Sequence, residues 1–156
     1  MRDDAKLSDG FVTLSPLDPA DAARLPLAAP SPPGASWRVH GPARTFAVLA
    51  GRLLGAVQVR PAAPEPGDLG GLAGHDVDLS YVLAPEARGR GFATRAVLLS
   101  CDHARAEGAR RAVIVTAAGH TTASAVARRA GFAHRGQISH ADGTLLDWYV
   151  RPLDRP

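Results

Sequence analysis

The segment best equipped for chemistry reads DLSYVLAPEARGRGFAT, from Asp78 to Thr94. Apolar and polar residues alternate up to Leu83, Pro85 marks a turn, and Arg88-Gly-Arg-Gly-Phe-Ala93 makes a glycine-rich loop opening a helix. A helix that starts in this way aims several unpaired backbone N–H groups at one point. That point also feels the positive end of the helix dipole, so it suits a phosphate or pyrophosphate. A side chain at the glycines would hold the anion away from the backbone. The pattern predicts a protein that holds a phosphorylated carrier and does its chemistry beside the preceding strand. Other reactive residue types offer less. Cys101 is the only cysteine and shares an apolar helix face, which suits a packed core residue better than a nucleophile. The six histidines show no metal-ligand spacing, and no cysteine or carboxylate cluster supports a zinc site, so no metal is expected.

These residues need elements to position them. Residues 11–16 read as a first strand. Asp18 caps a short helix with Pro19 at its first position, and Pro26 and Pro30 bracket its end. Residues 29–35 are a proline-rich loop. Residues 45–50 and 53–59 form a hairpin about Gly51-Arg52, and 61–76 is a surface loop rich in Pro and Gly. Residues 76–83 alternate as a half-buried strand. The helix that follows spans about 91–107, with Gly108 at its C-terminal stop. Ala93, Ala96, Val97, Ser100, Cys101 and Ala104 share one face, and their small size lets the helix lie close to a sheet. Residues 111–116 form a β-branched strand. Thr121 or Thr122 caps a second helix ending near Ala130, Gly131-Phe132 leads into a strand to Ile138, and Asp142-Gly143 turns into a last strand over 144–150. This order is α/β with a mixed sheet.

A chain of 156 residues makes one domain, 1–156, large enough for its own core. The apolar fraction of 46% supports a packed globule, and the scarcity of aromatics builds its core from Ala, Leu and Val. Lys6 is the only lysine, and the net charge of +3 comes from arginines interspersed with acids. With no basic run, nucleic acid is not an expected partner. The first residues are polar, without the apolar centre of a leader, and no stretch is long enough to span a membrane. A single cysteine permits no internal disulfide. The expectation is a soluble cytoplasmic protein.

Taken together, these segments resemble the GNAT family of acyl-CoA-dependent N-acetyltransferases. Arg88-Gly-Arg-Gly-Phe-Ala93 matches its pyrophosphate motif, Arg/Gln-x-x-Gly-x-Gly/Ala. The closer resemblance is to the RimJ/RimL-type branch, which acetylates the N-termini of ribosomal proteins and, in relatives, other amines. Residues 79–94, TTASAVARRAGF at 121–132 and GTLLDWYV at 143–150 carry it, in family order, within a stretch from about Ala43 to Val150. Strand, proline, motif, helix, strand, helix and Gly-Phe in that order are more specific than the glycine motif alone.

The resemblance implies a mostly antiparallel, twisted GNAT-like sheet flanked by helices, with acetyl-CoA as co-substrate. It implies that backbone near Leu83 pairs with the pantetheine arm, and that amides of Gly89, Arg90, Gly91, Phe92, Ala93 and Thr94 hold the pyrophosphate. Arg88 and Arg90 add charge beside it. Asp78 stands where relatives often carry a glutamate base; it is one methylene shorter and calls for a bridging water. A polar residue on the solvent face of a strand is the plainer reading of Asp78. His75 and Asp147 are lesser base candidates. Ser124 matches the serine expected to protonate the leaving thiolate, although a helical serine commonly bonds back to a carbonyl one turn earlier. The tyrosine that many members use for that step is replaced by Ala127. His120 replaces the usual asparagine and can still donate to pantetheine, with a charge that varies with pH. The acceptor is a primary amine, either a protein N-terminus or a small molecule. Before Trp37 there is room only for a shortened, proline-broken helical region. The acceptor side is then more open, or is completed by the 61–76 loop or by a second subunit of a homodimer. The other functional reading is a non-catalytic acyl-CoA-binding or regulatory module on the same fold.

Overall fold

Among the described residues, eight strands form one sheet, ordered β1-β2-β3-β4-β5-β6-β8-β7. The structure, a computed structural model, describes residues 7–17, 44–61, 76–139, 143 and 145–153. The strands are β1 (Leu7–Ser8), β2 (Thr13–Pro16), β3 (Arg44–Leu49), β4 (Leu53–Pro61), β5 (Asp76–Leu83), β6 (Arg111–Ala117), β7 (Ala133–Ser139) and β8 (Leu145–Pro152). Helix α1 (Phe92–Ala106) connects β5 to β6, and α2 (Thr121–Arg129) follows β6. A 3-10 turn at Pro85–Ala87 leads from β5 into the glycine loop. Neighbouring strands are antiparallel except β5 and β6. That parallel pair needs a crossover, which α1 supplies.

One face of the sheet packs against α1. Ala93, Ala96, Val97, Ser100, Cys101 and Ala104 are all buried, as their shared face requires, and they join Val57, Leu79 and Ile114 in the core. Phe46 meets His103 of α1 edge-on, with ring centroids 5.1 Å apart. The helix ends as expected, with Gly108 at φ 99° just past it. The opposite face carries a smaller cluster of Val113 and Val150, flanked by Val115 and Trp148.

The feature that matters most is where β5 and β6 part. Their pairing covers only Asp76 to Asp78 against Arg111 to Val113. On its other side β5 stays paired with β4 as far as Leu83, opposite Gly55. The Ala84 N–H donates to the Leu54 carbonyl at 2.7 Å, which sets the phase of the ladder. Ser80 and Val82 therefore turn their backbone groups toward β4, while Leu79, Tyr81 and Leu83 turn theirs toward the parted side.

Gly55 makes this arrangement possible. A Cβ there would run into the Val82 carbonyl oxygen and stand 2.9 Å from the Leu83 Cα. Both are backbone atoms of β5, so the strand end itself would have to move. Gly55→Ala is expected to lower the melting temperature by several degrees, which thermal unfolding checks.

Four expectations change in detail. The first long strand begins at Thr13, because Asp9 Oδ1 accepts the N–H groups of Phe11 and Val12 at 2.8 and 2.9 Å and closes a turn. Leu7–Ser8 pairs back on β2 as an additional strand. The cap of α2 is His120, not Thr121 or Thr122: its Nδ1 accepts the Ala123 N–H at 3.1 Å. The last strand continues to Pro152, since Arg111 and Ala112 of β6 extend far enough to pair with it. The helix at Asp18 and its prolines, the body of the 61–76 loop with His75, and Asp142 lie outside the described residues.

Candidate active site

The loop after β5 turns on its glycines. Gly89 and Gly91 lie at φ 78° and 83°, the left-handed region that side chains disfavour. Gly91 is the N-cap of α1 and makes no side-chain cap bond. The first bond of the helical ladder runs from the Arg95 N–H to the Gly91 carbonyl at 3.1 Å. The N–H groups of Phe92, Ala93 and Thr94 precede it and point out of the helix end. No acidic residue occupies the first turn of α1, so the positive end of the dipole is uncompensated there. Gly89, Arg90 and Gly91 are exposed. This end of the helix can take a diphosphate.

The arginines divide their work. Arg88 Nε donates to the Leu83 carbonyl at 3.3 Å, which ties the loop to the strand end. The Leu83 N–H faces the parted side, as the phase of the ladder sets it. Arg95 lies over the Phe11 ring, 4.3 Å from its centroid, and pairs with Asp9 at 3.1 Å, pinning the N-terminal turn to α1.

At the other end of the parted strands stands a group of polar side chains. Ser124 Oγ on α2 hydrogen-bonds the Tyr149 hydroxyl on β8. Tyr149 pairs in register with Ile114, one residue past the point where β5 and β6 separate. The Tyr149 ring meets His134 edge-on at 5.1 Å, and His134 Nε2 lies 3.0 Å from Asp147 Oδ1. Burial works against ionisation of Asp147. Hydrogen bonds from His134 and Gln137, the charge of His134 and the Gly119 N–H outweigh it and hold the carboxyl below the usual aspartate range. Ser124 is thus not the helical serine that bonds back one turn. Ser100 is, donating to the Ala96 carbonyl at 2.8 Å.

The other candidates fall as follows. Asp78 sits on the sheet face away from α1, where its Oδ2 is 2.7 Å from Arg60 Nη2 on the neighbouring strand. It stands at the vertex of the parting strands, opposite Val113. His120 is exposed, and because Nδ1 accepts the Ala123 N–H, its neutral ring carries the proton on Nε2, free of the cap. Ala127 is buried in the same cluster as Tyr149. Burial pushes the Cys101 thiol up to about 11, so it stays protonated and packs as a small apolar residue. Burial likewise pushes the Tyr81 phenol to about 12. Among the described residues, no group of three or more His, Cys, Asp or Glu is arranged to hold a metal ion, and no helix is long and apolar enough to cross a membrane.

Residues 15–133 match the acetyltransferase (GNAT) domain family. The chain belongs to the GNAT acetyltransferase family. Solved structures share its fold. A probable GNAT acetyltransferase from Chromobacterium violaceum superposes with a TM-score of 0.74 at 21% identity, over 96% of this chain and 87% of the other. The ribosomal-protein-S5-alanine acetyltransferase of Vibrio fischeri gives 0.72 at 17% identity, over 98% and 100%. The ribosomal-protein α-N-acetyltransferase RimL in complex with coenzyme A gives 0.71 at 18%, over 95% and 98%. A search of curated proteins returned no match. This GNAT chain therefore has an acetyltransferase domain and the mixed, mostly antiparallel sheet expected of it.

Two residues of the polar group, Tyr149 and His134, escaped the sequence reading. Tyr149 was visible only as part of the last strand. Its signal is the period-two alternation that puts Asp147 and Tyr149 on one face. Its contact with Ser124 depends on how β8 inserts between β6 and β7, which the sequence does not announce.

Proposed function

We propose that this protein transfers the acetyl group of acetyl-CoA to a primary amine, by direct attack within a ternary complex. The acceptor is a protein N-terminal α-amine or a small-molecule amine. The observation that carries this reading is the parting of β5 and β6. It leaves one backbone edge running from the glycine loop to the vertex where the Ser124–Tyr149 pair lies. From Leu83 to Asp78 that edge spans about 16 Å at ~3.3 Å per residue, room for an extended pantetheine arm.

Acetyl-CoA brings an activated thioester. The N–H groups of Gly89, Arg90, Gly91, Phe92, Ala93 and Thr94 hold its pyrophosphate at the uncompensated end of α1, and Arg88 and Arg90 add positive charge. Tyr81 and Leu83 present backbone N–H groups to the arm, and one of these stabilises charge developing on the carbonyl oxygen. His120 Nε2 donates to the arm from the start of α2. Asp78 takes the amine's proton through a bridging water. An α-amine has a pKa of about 8, against about 10.4 for lysine, so an N-terminal acceptor asks less of this base. Ser124 gives a proton to the departing thiolate.

The test is a thiol-release assay with acetyl-CoA and a panel of peptides bearing free N-termini, with small amines alongside. The expected result is CoA release that depends on the amine and vanishes when the peptide N-terminus is blocked. Tight acetyl-CoA binding without release to any amine would instead mark a non-catalytic acyl-CoA-binding module.

A further inference from the structure

Tyr149 is among the largest fully buried side chains of the chain, at 1% exposure, yet it ends in a hydroxyl. Burying a phenol costs free energy unless the hydroxyl is bonded, and Ser124 Oγ is its partner. The direction of that bond follows from the surroundings. A phenol is the more acidic hydroxyl, and it has one proton to place. Were Ser124 the donor, the Tyr149 proton would need a second acceptor inside the core, and among the described residues no hydrogen bond supplies one. Donation from Tyr149 to Ser124 is the arrangement that leaves no proton unpaired at the fully buried hydroxyl. The serine is the more accessible of the two, and its own single proton is left to point elsewhere.

We infer that Tyr149 is the positioning residue for Ser124. It fixes the serine rotamer and, by occupying a lone pair, directs the serine proton toward the departing sulfur. It also donates to the oxygen that gains negative charge as that proton leaves, which stabilises the charge where it develops. The proton passes from Ser124 Oγ to the thiolate, and the serine oxygen is reprotonated by the proton the amine releases through solvent. The ring is held for this role: His134 packs against it in a T-shaped contact, with ring centroids 5.1 Å apart, and Asp147 hydrogen-bonds His134. Ala127, buried one turn along α2 from Ser124, contributes only a methyl group to the same cluster. The sequence gap between the partners, from α2 to β8, explains why no local motif shows the pair. This inference rests on Ser124 as the acid of the proposed reaction.

Tyr149→Phe tests it, since the change keeps the ring and removes only the hydroxyl. Turnover is expected to fall about tenfold, with acetyl-CoA affinity and KM for the amine unchanged. In a Ser124→Ala background the same change should have less than about a twofold effect, because the group it positions is already gone. A full tenfold effect in that background, or normal turnover of Tyr149→Phe beside an impaired Ser124→Ala, would overturn the positioning role while leaving the acid assignment standing. Normal turnover of Ser124→Ala itself would remove the acid assignment, and the role of Tyr149 with it.

Discussion

Gly91→Val is expected to weaken acetyl-CoA binding by about a hundredfold or more, a loss of roughly 2.7 kcal/mol, in a protein that still folds. The residue sits at φ 83°, and a β-branched side chain there costs of order 1–3 kcal/mol. A Cβ at this position meets nothing within 4 Å, so the protein itself presents no clash. The chain relieves the strain by reshaping the loop, which turns the N–H groups of Phe92, Ala93 and Thr94 away from their common point. The added methyl groups also stand where the anion must approach. Each lost charge-assisted hydrogen bond is worth about 1.5–3 kcal/mol, so losing one or two accounts for the effect. Because the loop is exposed and the buried face of α1 begins at Ala93, circular dichroism and cooperative melting should survive. Calorimetric titration checks the affinity. Unchanged binding would show that the glycine loop is only a helix start.

Ser124→Ala is expected to lower turnover about a hundredfold and to leave acetyl-CoA affinity as it is. General acid catalysis contributes about 10²–10⁴ where the leaving group needs its proton. A thiolate is a fair leaving group, so the lower end of that range applies. The fold should tolerate the change, since Ser124 lies mid-helix on α2 and alanine is the better helix former. The buried Tyr149 hydroxyl loses its partner, at a cost of about 1–3 kcal/mol that shows as a lower melting temperature. Steady-state kinetics with calorimetry separates the two effects: kcat falls while Kd for acetyl-CoA holds. Unchanged turnover would take Ser124 out of the mechanism.

Much of this was legible in the chain because its signals are local. The glycines of Arg88-Gly-Arg-Gly-Phe-Ala93 marked a loop that opens a helix, and Gly91 is the N-cap of α1. The small face from Ala93 to Ala104 gave the packing of α1, and the turn at Gly51-Arg52 between residues 45–50 and 53–59 gave the pairing of β3 with β4. The less legible parts depend on distant contacts. A threonine is the better cap by propensity, yet His120 takes the position because its ring reaches the Ala123 N–H. Asp9 claims two backbone N–H groups and shortens the first strand, a competition that strand propensity does not register. The parting of β5 from β6 after Asp78 has no sequence marker. The Ser124–Tyr149 contact needs the inserted strand β8. Asp78 was singled out from its strand position, and its ion pair with Arg60 became visible only once β4 lay beside β5.

Binding of acetyl-CoA by the parted strands and the glycine loop is decided by titrating acetyl-CoA into the purified protein by calorimetry. Micromolar binding at one site per chain is the predicted result, and the same titration with Gly91→Val should be flat. Absence of binding by the unaltered protein would contradict the assignment of the loop, and the proposed transfer reaction with it.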